Sequence, residues 1–257
     1  MLDGNSIHIW RVGLEATAAA AEDQADSLRG MLSPEENRRA NAFRVDVLRR
    51  EYVTAHAALR LILGKYLGVA PAAVPFAEGL ARTNGGSETK PRLMPVTGLG
   101  NELSDLRFSL SHTHGASLIG VAMAREVGVD VEWQRPMDDL DPVAISVMSS
   151  EELKNWQALR PEDRLGAFFN LWTRKESYLK AIGVGLFHSL QSVTVPVSAN
   201  ILNVYSRSFA IVKDSARVGE WGVSDIPVPV TLSASVCWEG GNMPQITVQD
   251  LDLSGTI

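Results

Sequence analysis

The sequence predicts an α+β fold on three observations. Short segments of alternating apolar and polar residues, typical of half-buried strands, occur in both halves of the 257-residue chain. Longer segments with apolar residues at helical spacing lie between them, and several begin at a capping residue or end at glycine. The sequence has no repeat of fixed period. Strands and helices that mix in this way favour the α+β class.

One strand and three helices are expected in the first part of the chain. Residues 7–10 alternate in polarity and predict a strand. Residues 16–30 are rich in alanine, and residues 52–66 carry apolar side chains at helical spacing, so both predict helices. Residues 33–36 (SPEE) place a capping serine, a proline and a glutamate where a helix begins. Residues 83–87 (TNGGS) predict a turn or a mobile loop.

Further strands and two more helix signals follow. Residues 108–111 alternate in polarity, and residues 117–124 and 127–132 are apolar segments joined by a short polar turn, so all three predict strands. Residues 149–152 (SSEE) predict a helix start, and residues 167–182 predict a long amphipathic helix that ends at glycine. Beyond residue 192, the segments SVTVPV, SFAIVK, VTLSASVCW and QITVQ predict short strands.

Composition and charge exclude several classes of protein. Hydrophobic residues make up 45% of the chain and charged residues 21%, as in an ordinary globular protein and unlike a disordered or collagen-like chain. The 24 basic and 30 acidic residues give a net charge of −6. A nucleic-acid binder usually has an excess of basic residues, so that class is not favoured. Cys237 is the single cysteine, so no intrachain disulfide forms, which fits a reducing compartment.

The N-terminus and the apolar segments favour a soluble, cytoplasmic protein. The first ten residues include an acidic residue and lack the apolar core and cleavage site of a secretory signal. The most apolar stretch, residues 116–124, is much shorter than the roughly 20 residues that span a bilayer. We therefore expect no transmembrane segment and no membrane partner.

Two carboxylates in the segment GVDVE form the first candidate site. Asp130 and Glu132 are two residues apart on a predicted strand, so their side chains face the same side. Adjacent carboxylates repel one another unless a cation lies between them, and Mg²⁺ prefers such oxygen ligands. The alternative interpretation is a solvated strand end.

A helix that carries both acidic and basic residues forms the second candidate site. Glu176 and Lys180 are four residues apart and share one helix face. They are either an exposed ion pair or a functional pair. In the functional interpretation, Glu176 is a third metal ligand or a base, and Lys175 and Lys180 meet phosphate.

The segment SLSHTHG forms a third candidate site. Ser111 and His112 at a strand end are suited to bind an anion, whereas His112 and His114 are candidates for a transition-metal pair. No third histidine or cysteine lies near them in the sequence, and a structural role is the alternative for each histidine. The pair Lys90-Pro91 carries no argument by itself.

Taken in order along the chain, these pieces resemble the 4′-phosphopantetheinyl transferases of the surfactin-synthetase-activating type. That family shows Lys-Pro, Ser-His, Gly-x-Asp-x-Glu, Trp-x-x-Lys-Glu-(Ala/Ser)-x-x-Lys and Gly-x-Gly-Leu. The corresponding motifs here are Lys90-Pro91, Ser111-His112, residues 128–132, residues 172–180 and residues 183–186. The segment LSPEENRRANAF at residues 32–43 also resembles the family. No single motif is decisive, but the ordered set is highly specific.

The resemblance implies a reaction and a metal. The family transfers the phosphopantetheine arm of coenzyme A (CoA) to a serine of an apo carrier protein and releases adenosine 3′,5′-bisphosphate. Asp130, Glu132 and Glu176 are expected to hold Mg²⁺, or Mn²⁺, which accepts the same oxygen ligands. Glu176 is also the expected base, acting directly or through water. Lys180 is expected to touch the transferred or the leaving phosphate.

The resemblance also implies how CoA is held. The residues expected to contact it are Arg39, Lys90, Ser111, His112, Lys175 and Lys180. The first four would grip the nucleotide end, and Lys175 would help to hold the pyrophosphate. Glu36 stands where some members of the family place a basic residue, so one phosphate contact is expected to be missing.

The family fold has two similar α+β subdomains related by a pseudo-twofold axis, with the active site in the cleft between them. The resemblance implies residues 1–126 as the subdomain that contacts the CoA nucleotide, and residues 127–257 as the one with the metal site and the catalytic helix. It also implies a monomer that acts on acyl or peptidyl carrier proteins, with secondary metabolism favoured. Two alternatives stay open: a non-catalytic module that binds CoA or carrier protein, and a Mg²⁺-dependent phosphohydrolase.

Overall fold

The computed structural model describes residues 2–14, 26–76, 90–94, 105–184, 189–198 and 202–253. The helices are α1 (Pro34–Ala42), α2 (Asp46–Leu67), α3 (Leu140–Val147), α4 (Ser150–Gln157) and α5 (Pro161–Ile182). The strands of the first part are β1 (Ser6–Gly13), β2 (Leu106–Thr113), β3 (Ala116–Met123) and β4 (Val127–Trp133). The later strands are β5 (Val193–Thr194), β6 (Ala210–Ile211), β7 (Lys213–Asp214), β8 (Trp221–Asp225), β9 (Leu232–Glu239) and β10 (Gln245–Leu251). The predicted α+β class is confirmed.

Eight of the strands in the described residues form two four-stranded sheets. The first has the order β10-β1-β3-β2, in which β1 runs parallel to β10 and antiparallel to β3. The second has the order β4-β9-β8-β6 and is antiparallel throughout. The last strand, β10, therefore returns to the sheet that contains β1. The division into residues 1–126 and 127–257 stays a prediction.

Several predicted segments differ from the observed elements or lie outside the described residues. The helix α2 begins at Asp46, and α5 begins at Pro161, each six residues before its predicted start. None of the apolar residues in these added turns is buried, so the turns carry no apolar periodicity from which to predict them. Most of the predicted helix at residues 16–30, the turn at residues 83–87 and part of the Gly-x-Gly-Leu motif lie outside the described residues.

The two predicted capping sequences are both present. Ser33 Oγ accepts a hydrogen bond from the backbone N–H of Glu36 at 3.2 Å, and Glu36 Oε2 accepts one from the N–H of Ser33 at 2.8 Å. Ser149 and Glu152 exchange the same two bonds at 3.3 and 2.7 Å. These reciprocal bonds satisfy N–H groups that lack helical partners, so α1 and α4 begin at these residues.

Buried apolar side chains hold the layers together. The helix α2 packs through residues such as Tyr52 and Ile62 against Phe108 of the first sheet. The helix α5 packs through residues such as Tyr178 against Cys237 of the second sheet. A third cluster of apolar side chains, contributed by both sheets, joins them; it includes Ile7, Ile9, Leu118, Val129 and Val236. No helix in the described ranges is both long and apolar enough to cross a membrane.

A polar network ties α1 to α2. Glu36 Oε2 accepts a hydrogen bond from Arg60 Nε at 2.6 Å, and Glu36 Oε1 lies 3.2 Å from His56 Nδ1. Burial by itself would raise the pKa of Glu36. Hydrogen bonds from His56 and the Ser33 N–H, together with the charge of Arg60, outweigh burial and lower that pKa to about 2.

We predict that Glu36→Gln lowers the free energy of unfolding by about 2 kcal/mol at neutral pH, because it removes a carboxylate stabilised in the folded state. The pKa of Glu36 in the folded protein lies below its ordinary value of 4.5, so the stabilisation is complete above pH 4.5 and is lost as the pH falls towards 2. Urea unfolding at pH 7, 5, 4 and 3 should therefore show the two proteins converge. The exposed Glu35→Gln is the control, and a difference that stays constant with pH would contradict the assignment.

Candidate active site

Three elements meet at one buried carboxylate. Asp130 on β4 is 2% exposed, and its Oδ1 accepts hydrogen bonds from Ser111 Oγ at 2.8 Å and from Lys180 Nζ at 2.5 Å. Lys180 Nζ also donates to Ser111 Oγ at 2.8 Å. The structure therefore brings together predicted site residues from β2, β4 and α5.

A glycine allows α5 to lie directly on β4. A Cβ atom at Gly128 would stand 1.9 Å from the backbone oxygen of Ser177 and 2.4 Å from the backbone nitrogen of Ala181. Both are backbone atoms of α5, so neither can move aside without a shift of the helix. The absent side chain thus permits the close approach that brings Glu176 and Lys180 to the carboxylates of β4.

The carboxylates at this contact are crowded. Burial and the charges of Asp130 and Glu132 raise the pKa of Glu176 to about 7, against the opposing charge of Lys180. Burial and Asp130 likewise raise the pKa of Glu132, against Lys180 and a hydrogen bond from Trp172. The negative charge of the three carboxylates is therefore only partly balanced by Lys180.

Two buried oxygen atoms at this site are suited to a cation. Asp130 Oδ2 and Glu176 Oε1 are buried and make no hydrogen bond. Carboxylate oxygens are the ligands that Mg²⁺ prefers, so the donor set fits that ion. Within the described ranges, however, no group of three or more His, Cys, Asp or Glu residues stands ready to hold a metal. The ammonium group of Lys180 lies against Asp130 instead.

Cationic groups surround His112 next to the carboxylates. The imidazole is accessible to solvent at the end of β2. Partial burial and the positive charges of His56, Lys180 and Arg39 lower the pKa of His112 to about 4. Arg39, His56 and Lys180 therefore form a cationic region around the neutral ring of His112 and beside the carboxylates, which is a suitable arrangement for an anionic ligand.

His56 is a member of this region that the motifs do not reveal. Its ring stacks on Tyr52 with centroids 4.0 Å apart, and Arg39 lies over the Tyr52 ring at 5.7 Å. Glu36 accepts from the ring at Nδ1. The sequence feature that indicates this role of His56 is its spacing: Tyr52, His56 and Arg60 lie four residues apart and share one face of α2.

Lys175 lies away from the candidate site, which corrects the expectation that it holds pyrophosphate. The side chain is buried, and its Nζ is 2.6 Å from Glu152 Oε2. The same Nζ donates to the carbonyl oxygens of Val147, Leu190 and Val193 at 2.9, 2.8 and 2.7 Å. These partners use the hydrogen-bonding capacity of the ammonium group, so we assign Lys175 a structural role.

The ammonium group of Lys90 is likewise bound within the protein, and its predicted contact with CoA stays a prediction. Its Nζ donates to Glu126 Oε2 at 2.8 Å, to the Val127 carbonyl at 2.7 Å and to the Ala181 carbonyl at 3.4 Å. The side chain is 7% exposed. Lys90 therefore joins the start of β4 to the end of α5.

The structure does not pair His114 with His112 as transition-metal ligands. The ring of His114 instead contacts the ring of Trp133, with centroids 5.3 Å apart. His114 Nδ1 also lies 3.8 Å from Glu51 Oε1, which accepts a hydrogen bond from the N–H of Gly115. His114 thus belongs to the turn between β2 and β3.

Comparisons with known proteins identify the family. A sequence model described as the 4′-phosphopantetheinyl transferase superfamily matches residues 126–216, which include Asp130, Glu132, Glu176 and Lys180. The 4′-phosphopantetheinyl transferase HetI of Nostoc sp. is 35% identical over 182 residues, which cover 71% of this chain and 70% of that protein. The chain belongs to the 4′-phosphopantetheinyl transferase superfamily.

Two further relatives extend the match. A putative 4′-phosphopantetheinyl transferase of Synechocystis sp. is 26% identical over 78% of this chain and 74% of its own length. A 4′-phosphopantetheinyl transferase of Bacillus subtilis is 25% identical over 73% of this chain and 75% of its own length. The expected enzyme class is thereby confirmed at the level of the superfamily. The surfactin-synthetase-activating subtype stays a prediction for this transferase.

We predict that Gly128→Ala destabilises this transferase by about 3 kcal/mol, because the added methyl group overlaps two backbone atoms of α5. Urea unfolding followed by circular dichroism measures the change. Gly13→Ala is the matched control, since a Cβ atom at Gly13 has no neighbour within 4 Å. Equal stability of the two variants would contradict the assigned role of Gly128.

Proposed function

We propose that this phosphopantetheinyl transferase moves the 4′-phosphopantetheine arm of CoA to a serine of an apo acyl or peptidyl carrier protein. The reaction would depend on Mg²⁺ and release adenosine 3′,5′-bisphosphate. The observation that carries the proposal is the meeting of Asp130, Ser111 and Lys180, beside unpartnered oxygens of Asp130 and Glu176. Carriers of secondary metabolism and a monomeric enzyme belong to the same proposal.

Three carboxylates are the proposed metal ligands. Asp130, Glu132 and Glu176 crowd negative charge into a partly buried site, which favours a bound cation. Mg²⁺ or Mn²⁺ bound there supplies positive charge to neutralise the pyrophosphate of CoA. Lys180, whose side chain is 32% exposed, is close enough to solvent to reach a phosphate as well.

The transfer step makes one bond and breaks one. The carrier serine oxygen attacks the phosphorus next to pantetheine, and the bond from that phosphorus to the bridging oxygen breaks. The electron pair of the broken bond stays with adenosine 3′,5′-bisphosphate. In this proposal Glu176 also accepts the serine proton, directly or through water. Lys180 balances the charge on the phosphate oxygens.

The cationic region is the proposed site for the nucleotide phosphate. Arg39, His56 and Lys180 provide positive charge at one end of the cluster, and the neutral ring of His112 lies among them. Ser111 connects the two ends through its bonds to Asp130 and Lys180. Glu36 does not contact phosphate in this proposal. It orients the ring of His56, so the contact with phosphate comes from His56 on α2 and not from α1 at position 36.

We predict that Glu176→Gln lowers kcat for carrier modification by about 100-fold or more, because the amide cannot accept the serine proton. The readout is the intact mass of an apo carrier panel after incubation with CoA and Mg²⁺, with and without chelator. With the wild-type enzyme, the carrier should gain the mass of one phosphopantetheinyl group when chelator is absent and no mass when it is present. Glu162→Gln, at an exposed position on the same helix, should be unchanged.

Other outcomes of this experiment would contradict the proposal. Full activity of Glu176→Gln would show that Glu176 is not the group that accepts the serine proton. Breakdown of CoA without any carrier would favour a phosphohydrolase. Carrier or CoA binding without transfer on any carrier would favour a non-catalytic module.

We predict that His56→Phe raises KM for CoA by about tenfold, because it keeps a ring on Tyr52 but removes a cationic donor for the nucleotide phosphate. KM for 3′-dephospho-CoA should change little, since that substrate lacks the phosphate. Steady-state kinetics with both substrates measures the contrast. An equal rise in both KM values would show that His56 acts only through the fold.

A further inference from the structure

Hydroxyl groups on β2 bind the backbone of β4 at every second residue. Each hydroxyl oxygen accepts a hydrogen bond from one N–H group of β4. The pairs are Ser109 with Val129 at 3.1 Å, Ser111 with Val131 at 3.3 Å, and Thr113 with Trp133 at 3.3 Å. We call these three side chains the hydroxyl ladder. They connect the first sheet to the edge of the second.

The ladder occupies an edge that backbone pairing leaves open. The strand β4 stands at the end of its sheet, and β9 pairs with all seven of its residues on one side. Successive N–H groups of a strand point to opposite edges, so alternate donors of β4 face away from β9. Without the ladder, these donors would lack a partner at the interface between the sheets.

The rungs bracket both carboxylates of the proposed metal site. Asp130 lies between the rungs at Val129 and Val131, and Glu132 lies between those at Val131 and Trp133. The middle rung, made by Ser111, also donates to Asp130. The backbone on either side of each carboxylate is therefore held to β2 by two rungs. The pairing with β9 holds the strand in its sheet but does not set its distance from β2.

We propose that the outer rungs, Ser109 and Thr113, are positioning residues for the divalent cation of this transferase. Their hydroxyl groups accept hydrogen bonds from the backbone of β4, and in this proposal they act by holding that strand. The inference rests on the proposed function, because it assumes a cation bound by Asp130, Glu132 and Glu176. Loss of an outer rung should weaken cation binding while pairing with β9 preserves the fold.

Thr113 allows a clean test. Thr113→Val removes the hydroxyl group at nearly constant volume, and Thr113→Ser retains it. We expect Thr113→Val to raise the Kd for Mn²⁺ about tenfold, as is typical when a group that supports metal ligands is lost. Thr113→Ser should stay within about twofold of the wild type. The readout is electron paramagnetic resonance of free Mn²⁺ titrated into the protein without CoA, and Ser109→Ala repeats the test at a buried rung.

Amide hydrogen exchange measures the ladder itself. The Trp133 amide should exchange faster in Thr113→Val than in the wild type or in Thr113→Ser. Loss of Mn²⁺ affinity in Thr113→Val, with faster exchange at Trp133 and rescue by Thr113→Ser, supports the proposal. Unchanged affinity in Thr113→Val, or equal loss in Thr113→Ser, overturns the role of the ladder. Failure of the wild type to bind Mn²⁺ overturns the proposed metal site, and the inference falls with it.

Discussion

The contact between α5 and β4 at Gly128 is the constraint on which the active site depends. Because no side chain separates them, the helix lies against the strand backbone. Glu176 and Lys180 on the helix then reach the carboxylate side chains of the strand. A larger residue at this position would separate Glu176 from Asp130 and Glu132, even if all three carboxylates were kept.

Two buried ion pairs control how α5 is rotated. Arg174 binds Asp225 through two nitrogens at 2.8 and 2.5 Å, and Lys175 binds Glu152 at 2.6 Å. Successive residues of a helix are rotated by about 100°. Because Arg174 and Lys175 are fixed in the interior, the rotation of α5 about its axis is fixed as well, and the next side chain, Glu176, faces β4. Breaking a buried ion pair by removing one partner typically costs about 3–5 kcal/mol, so these pairs hold the rotation firmly.

Charge is divided along the site. Carboxylates of β4 and α5 crowd one end, where buried oxygen atoms lack hydrogen-bond partners. Arg39 of α1 and His56 of α2 lie at the other end, around His112. Lys180 and Ser111 lie between the two ends and contact Asp130. A ligand with a metal-binding pyrophosphate and a separate phosphate matches this division, and the overall charge of −6 is compatible with it because the cations are local.

The sequence by itself determined the fold class, both helix-capping sites, the strand that carries Asp130 and Glu132, and the family. These features follow from local patterns and from the order of short motifs, which are properties of the chain alone. Only the tertiary structure decided that Lys175 and Lys90 are internal, that His56 joins the cationic region and that Ser109 and Thr113 hold β4. Each of these roles depends on a partner distant in the chain, such as Glu152 for Lys175, and a motif records which residue is present but not which partner it meets.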